Sequence, residues 1–252
     1  MFAGFNLSSN ESFSSYQRLG EEIYNKSKIV VRNSLDKYFD TNGSINGTNL
    51  QEHWFPQIDA DIFISHSHKD EKMAKGLAGW LYSNFGLTVF IDSCVWGYSL
   101  DLQKEIDYNF CRLDGKESTY SYEKVMYSTS HVHMMLSTAL TKMLDKSECV
   151  IFLNTPNSLN TKDTINNTES PWIYHEIAMT KLINKRKLSE YRKGIIKEGM
   201  FNENRDLNIK YDIDLDHLED ININDLSNWA KINQTTIAEY PLDILYRNKN
   251  IL

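Results

Sequence analysis

The sequence predicts an α/β fold, an open and mostly parallel sheet with helices on both faces. Three observations carry that prediction. Short apolar runs rich in β-branched and aromatic residues, at 61–66, 88–92 and 148–154, alternate with longer stretches of helical apolar spacing. The first two runs and the helix between them make one βαβ unit, whose crossover is right-handed. Each run ends in polar residues, as interior parallel strands do where they emerge at their carboxyl ends.

In chain order, residues 1–10 read as loose and polar. Tyr16, Leu19, Ile23, Val30, Val31, Leu35, Tyr38 and Phe39 then follow helical spacing, which predicts a helix over about 14–40. The turn formers from Asp40 to Gly47 close residues 1–55 as an N-terminal helical extension, leaving 56–252 as the main domain with a C-terminal elaboration. Asp61-Ile62-Phe63-Ile64-Ser65-His66 is the first predicted strand. Ser67-His68-Lys69-Asp70 opens a helix with Met73, Leu77, Trp80 and Leu81 inward, and Gly86 ends it as a left-handed residue. Thr88–Asp92 is the second strand, followed by a loop displaying Trp96 and Tyr98 around Gly97. Helices over 100–110 and 130–144 lead to the third strand, Glu148–Asn154.

Ser170-Pro171-Trp172-Ile173-Tyr174-His175-Glu176 starts a further helix. Ser170 suits the N-cap, and Pro171 the first helical position, where its missing N–H costs nothing. Trp172 and Glu176 stand four apart and share a face. That spacing fits a carboxylate desolvated beside an indole, and it fits a core tryptophan with a solvated glutamate at the helix edge, the plainer reading of these residues alone. Further on, Gly194-Ile195-Ile196 reads as a short strand, 212–216 as an edge strand or irregular segment, and 225–233 as a helix with Leu226, Trp229 and Ile232 inward.

Length and composition bound the function classes. A chain of 252 residues that is 41% hydrophobic and 24% charged fits one globular domain with extensions. No run approaches the roughly 20 apolar residues of a membrane span, and Met1–Asn6 lacks the basic start of a secretion signal. Cys94, Cys111 and Cys149 are far apart and odd in number, so no metal site is expected and a reduced cytosol is the expected compartment. A net charge of −7 argues against a general nucleic-acid partner.

In open α/β sheets, ligands bind beyond the carboxyl ends of the strands. Ser65-His66-Ser67, the segment from Asp92 to Tyr98, and Asn154 all fall there, and the helix of Trp172 and Glu176 follows the third strand. No GxGxxG or GxxxxGK[ST] loop is present, which turns the reading away from Rossmann and P-loop nucleotide sites.

With these residues in this order, the chain resembles the TIR (Toll/interleukin-1 receptor) domain family over about residues 58–200. Asp61–Asp70 is similar to the family's opening strand and D-x-F-I-S-x signature. Gly86–Asp92 is similar to its second strand, and Ser170-Pro171-Trp172 with Glu176 to the W-x-x-x-E helix of its enzymatic members. The resemblance implies a flavodoxin-like sheet and cleavage of NAD as substrate, without a bound cofactor. It implies Glu176 as the catalytic residue, and Ser65, His66, Ser67, Asp92, Trp96 and Trp172 as substrate contacts. His66-Ser67-His68 departs from the aromatic or basic residues many enzymatic relatives carry there.

From Met134-Met135-Leu136 to Asp145–Val150, the chain also resembles bacterial TIR proteins of Thoeris-type anti-phage defence. That likeness implies a nucleotide messenger derived from ADP-ribose acting on a separate effector, and activity in a homo-oligomer or with other TIR domains. It implies no nucleic-acid and no membrane partner. A non-enzymatic scaffold assembling through the 93–99 loop, and a glycohydrolase that depletes NAD, are the alternatives. Cys94 lies near the expected site without any feature that would activate a thiol, and His175 is expected at the surface.

Overall fold

The computed structural model describes residues 1–9, 11–27, 45–95, 99–113, 119–159, 167–168, 170–191, 211–212, 215–236 and 239–252. Its centre is a five-stranded, all-parallel open sheet flanked by helices, a flavodoxin-like α/β architecture. The strands are β1 (Ala3–Ser8), β2 (Ile62–Ser65), β3 (Val89–Phe90), β4 (Cys149–Asn154) and, after a small antiparallel ribbon of β5 (Asn167–Thr168) and β6 (Tyr211–Asp212), β7 (Glu219–Ile221). Their order across the sheet is β3-β2-β4-β1-β7.

The expected βαβ unit is present. β2 leads through a short 3-10 turn, His68–Asp70, into α3 (Glu71–Phe85), which returns to β3 beside it. Gly86 ends α3 at φ 69°, in the left-handed region that the sequence assigned to it. The helix expected over 130–144 runs further, as α6 (Tyr122–Lys146), because Ser121 caps it a full two turns upstream. The helix expected over 100–110 is α5 (Ser99–Ile106), continued by a π turn over Asp107–Cys111.

Residues 1–10 correct the sequence reading. Ala3–Ser8 is not loose: it is an interior strand between β4 and β7, with Phe5 and Leu7 fully buried. Its buried Asn6 donates from Nδ2 to Asp220 Oδ1 at 2.7 Å, while its Oδ1 has no hydrogen-bond partner among the described residues. The N-terminal segment therefore adds a strand to the sheet as well as the expected helix, α1 (Ser14–Ser27). The rest of that predicted helix, to Asp40, lies outside the described residues, as does the 194–196 strand. A short helix that the sequence reading did not assign, α2 (Gly47–Trp54), follows the predicted linker and is capped by Asn46, whose side chain accepts from Asn49 N.

Helix α1 packs on α3, and α6 packs on α5, α2 and α7 (Pro171–Leu182). After the short α8 (Leu188–Tyr191), the C-terminal helices α9 (Ile223–Thr235) and α10 (Pro241–Asn248) join the same core. Trp229 of α9 stacks on Phe85 at 3.9 Å between ring centroids, and its Nε1 donates to the Pro241 carbonyl at 2.8 Å. Tyr246 of α10 donates to Glu148 Oε1 at 3.0 Å. No helix among the described residues is long and apolar enough to cross a membrane.

One consequence of strand order positions the site. The connection leaving β2 runs to β3 on one side, and the connection leaving β4 runs to β7 on the other. The switch point therefore lies between the carboxyl ends of β2 and β4, where open α/β sheets form their crevice.

Candidate active site

Ser65 is the last residue of β2 and lies opposite Phe152 of β4, so its side chain stands at that switch point. Helix α7 brings Glu176 to it. The helix begins as the sequence dictates: Ser170 Oγ accepts from Ile173 N, and Pro171 occupies the first turn. With the start fixed, Ile173, Glu176, Ile177 and Thr180 fall on the buried face. Ser65 Oγ donates to Glu176 Oε2 at 2.5 Å, joining residues 111 positions apart.

Glu176 is 3% exposed. Burial pushes its carboxyl well above the ordinary carboxylate range, the negative charge of Asp92 adds to the rise, and the Ser65 hydrogen bond offsets part of it. Glu176 is therefore held toward its neutral form. A cation arriving beside it reverses that balance and draws out the carboxylate.

Asp92 opens the short helix α4 (Asp92–Val95) just after β3 and points Oδ1 toward His66 Nδ1, 3.8 Å away. His66 is buried directly after β2, and its Nε2 lies 3.2 Å from Ser93 Oγ. Burial lowers the His66 pKa, and Asp92 opposes that shift. Thus Ser65, His66, Asp92 and Glu176 form one connected group at one edge of the sheet.

The other expected contacts divide. Ser67 serves its own turn, accepting from Lys69 N at 3.4 Å. Trp172 shares the helix with Glu176, but its ring meets His133 of α6 edge-on at 5.6 Å, on the seam between the two helices. The short-range partner of the Glu176 carboxyl is Ser65 rather than an indole face. Trp96 lies outside the described residues. His175, expected at the surface, is tucked against α6, with Nε2 3.2 Å from Thr141 Oγ1 and 3.3 Å from the Ser137 carbonyl oxygen. Burial pushes the Cys94 thiol up to about 12, away from the thiolate that nucleophilic attack uses.

Asp70 is a site-shaping residue the sequence reading missed. It is buried, and its carboxylate accepts from Thr155 Oγ1 at 2.5 Å and from Asn157 Nδ2 at 2.7 Å. This clamps the start of α3 to the loop that follows β4. Among the described residues, no three His, Cys, Asp or Glu side chains converge to hold a metal ion. No protein-family model, curated protein or solved structure matches this chain.

Proposed function

We propose that the chain is a TIR-type enzyme that cleaves NAD at the nicotinamide–ribose bond. Its product is an ADP-ribose-derived signalling nucleotide, a cyclic isomer or a conjugate, that activates a separate effector in bacterial anti-phage defence. The observation that carries this reading is the hydrogen bond between Ser65 and Glu176 at 2.5 Å. It joins the end of the D-x-F-I-S strand to the glutamate of the W-x-x-x-E helix, at the switch point of a parallel sheet.

The chemistry follows from the charges. Nicotinamide in NAD is cationic and leaves as a neutral molecule, so its departure needs no acid and leaves positive charge on the ribose. A cationic ring beside Glu176 favours the carboxylate, and the carboxylate then stabilises the oxocarbenium-like transition state, as in glycoside hydrolysis. Ser65 fixes the carboxyl before substrate arrives, so no reorganisation is needed during the reaction.

The test incubates purified protein with NAD, with and without lysate from phage-infected cells, and identifies products by mass spectrometry. The reading expects nicotinamide together with a cyclic or conjugated ADP-ribose. Free ADP-ribose alone would make the protein an NAD-depleting hydrolase. No release under any condition would leave a scaffold role and overturn the enzymatic reading.

A further inference from the structure

His66 follows Ser65 directly, and its side chain is 1% exposed. Ser93, which meets Nε2 at 3.2 Å, also faces the carboxylate of Glu71, and that carboxylate is held by Lys75 Nζ at 2.6 Å. A carboxylate has no proton to give, so the Ser93 hydroxyl donates to Glu71 and its oxygen is left to accept from Nε2–H. This order fixes the neutral tautomer with a lone pair on Nδ1. Among the described residues Nδ1 is buried and makes no well-formed hydrogen bond, with the Ile64 carbonyl facing the ring. It and Asp92 Oδ1, 3.8 Å apart, are two acceptors spaced so that one donor group seated beside them reaches both. A buried acceptor without a donor costs stability, and this one sits beside the Ser65–Glu176 pair.

We propose that His66 Nδ1 takes the proton from the hydroxyl that replaces nicotinamide on the ribose, with Ser93 and Glu71 positioning the ring. The proposal rests on the reading of this site as an NAD-cleaving centre. In the step, the hydroxyl oxygen bonds to the anomeric carbon as the bond from that carbon to the nicotinamide nitrogen breaks. The electron pair of the broken bond stays on nicotinamide, which leaves neutral. The hydroxyl proton passes to Nδ1 and then to solvent. A carboxylate orienting an imidazole base is the logic of catalytic triads, here with a serine hydroxyl interposed.

The groups facing the ring set its behaviour. Burial keeps the ring neutral, and so able to accept a proton, between turnovers. Asp92 and Glu71 stabilise the imidazolium once formed, His68 opposes it with its ring 6.4 Å away, and the Ile64 carbonyl favours it. Glu176 acts on the same cluster through Asp92.

Heteronuclear NMR of the imidazole nitrogens in the full chain near neutral pH tests the geometry, with the His66 signals identified by their loss in His66→Gln. The expected result is the Nε2–H tautomer in the wild type, a shift of Nδ1 when ADP-ribose is added as a hydroxyl-bearing probe, and loss of the fixed tautomer in Ser93→Ala and Glu71→Gln. A proton on Nδ1, donated to Asp92 or to the Ile64 carbonyl, overturns the proposal. In turnover, His66→Gln is expected to lower kcat for nicotinamide release about 10²-fold, the scale of a general base, with KM for NAD little changed. If wild type releases nicotinamide and His66→Gln matches it, this proposal fails while the NAD-cleaving reading stands. If wild type and Glu176→Gln alike release none, both fall.

Discussion

A carboxyl group taken out of water favours its neutral form, and Glu176 is buried beside the charge of Asp92. The sign of the stability effect follows. The folded pKa lies above the ordinary value of 4.5, so the folded state binds the proton more tightly than the unfolded chain. That contribution is fully present below about the ordinary value and is lost as pH rises through the folded pKa. Glu176→Gln keeps the shape and removes the charge, so it is expected to raise Tm, with a gap over wild type that widens from acid toward neutral pH. Each ~1 kcal/mol of that gap is about 2–4 °C for a chain of this size. Thermal melts across pH measure it, and a gap independent of pH would contradict the assigned burial. The placement of Ser65 at a strand end and of Glu176 on a helix after the third strand was legible in the sequence, whereas the burial of Glu176 was not, because its spacing to Trp172 fits a solvated glutamate as well. Asp70 was not: a first-turn aspartate reads as a solvated helix-dipole partner, and its burial depends on Thr155 and Asn157, 85 and 87 positions away. Asp70→Ala strands those two donors and is expected to cost ~1–3 kcal/mol in chemical denaturation.

Between elements, the contact of α1 with α3 is set by glycines. A Cβ on Gly20 would overlap the Lys75 carbonyl, and one on Gly79 would overlap the Tyr16 carbonyl, so the two backbones meet without side chains between them. Gly79→Ala is expected to destabilise by ~1–3 kcal/mol, an overpacking cost offset little by the better helix propensity of alanine. Urea unfolding should show a lower midpoint at unchanged slope; an unaltered midpoint would mean the helices are not in close contact. The existence of both helices was legible from apolar spacing, whereas their crossing was not, because a glycine within a helical pattern does not name its partner. The same holds for Trp172: its spacing to Glu176 gave a shared helix face, but its packing against His133 depends on where α6 lies.

At the scale of the molecule, α/β alternation and the carboxyl-end clustering of Ser65, His66 and Asp92 were readable from the three strong strands. The position of β1 was not. Gly4, Asn6 and Ser8 make Ala3–Ser8 look polar and loose, and it becomes a strand only by pairing with β4 and β7, which come far later in the chain. Deleting residues 1–8 is therefore expected to abolish cooperative unfolding, since β7 loses the strand it pairs with and β4 loses one neighbour. Retained cooperative melting by circular dichroism would show that β1 is dispensable. The claim on which the functional reading turns is that the Ser65–Glu176 pair is a reacting centre and not only a tie between strand and helix. Nicotinamide release from NAD by wild type and Glu176→Gln, compared at equal folded fraction, decides it most directly. The account predicts release by wild type and loss of about 10²-fold or more in the variant; equal rates in two folded proteins would contradict it.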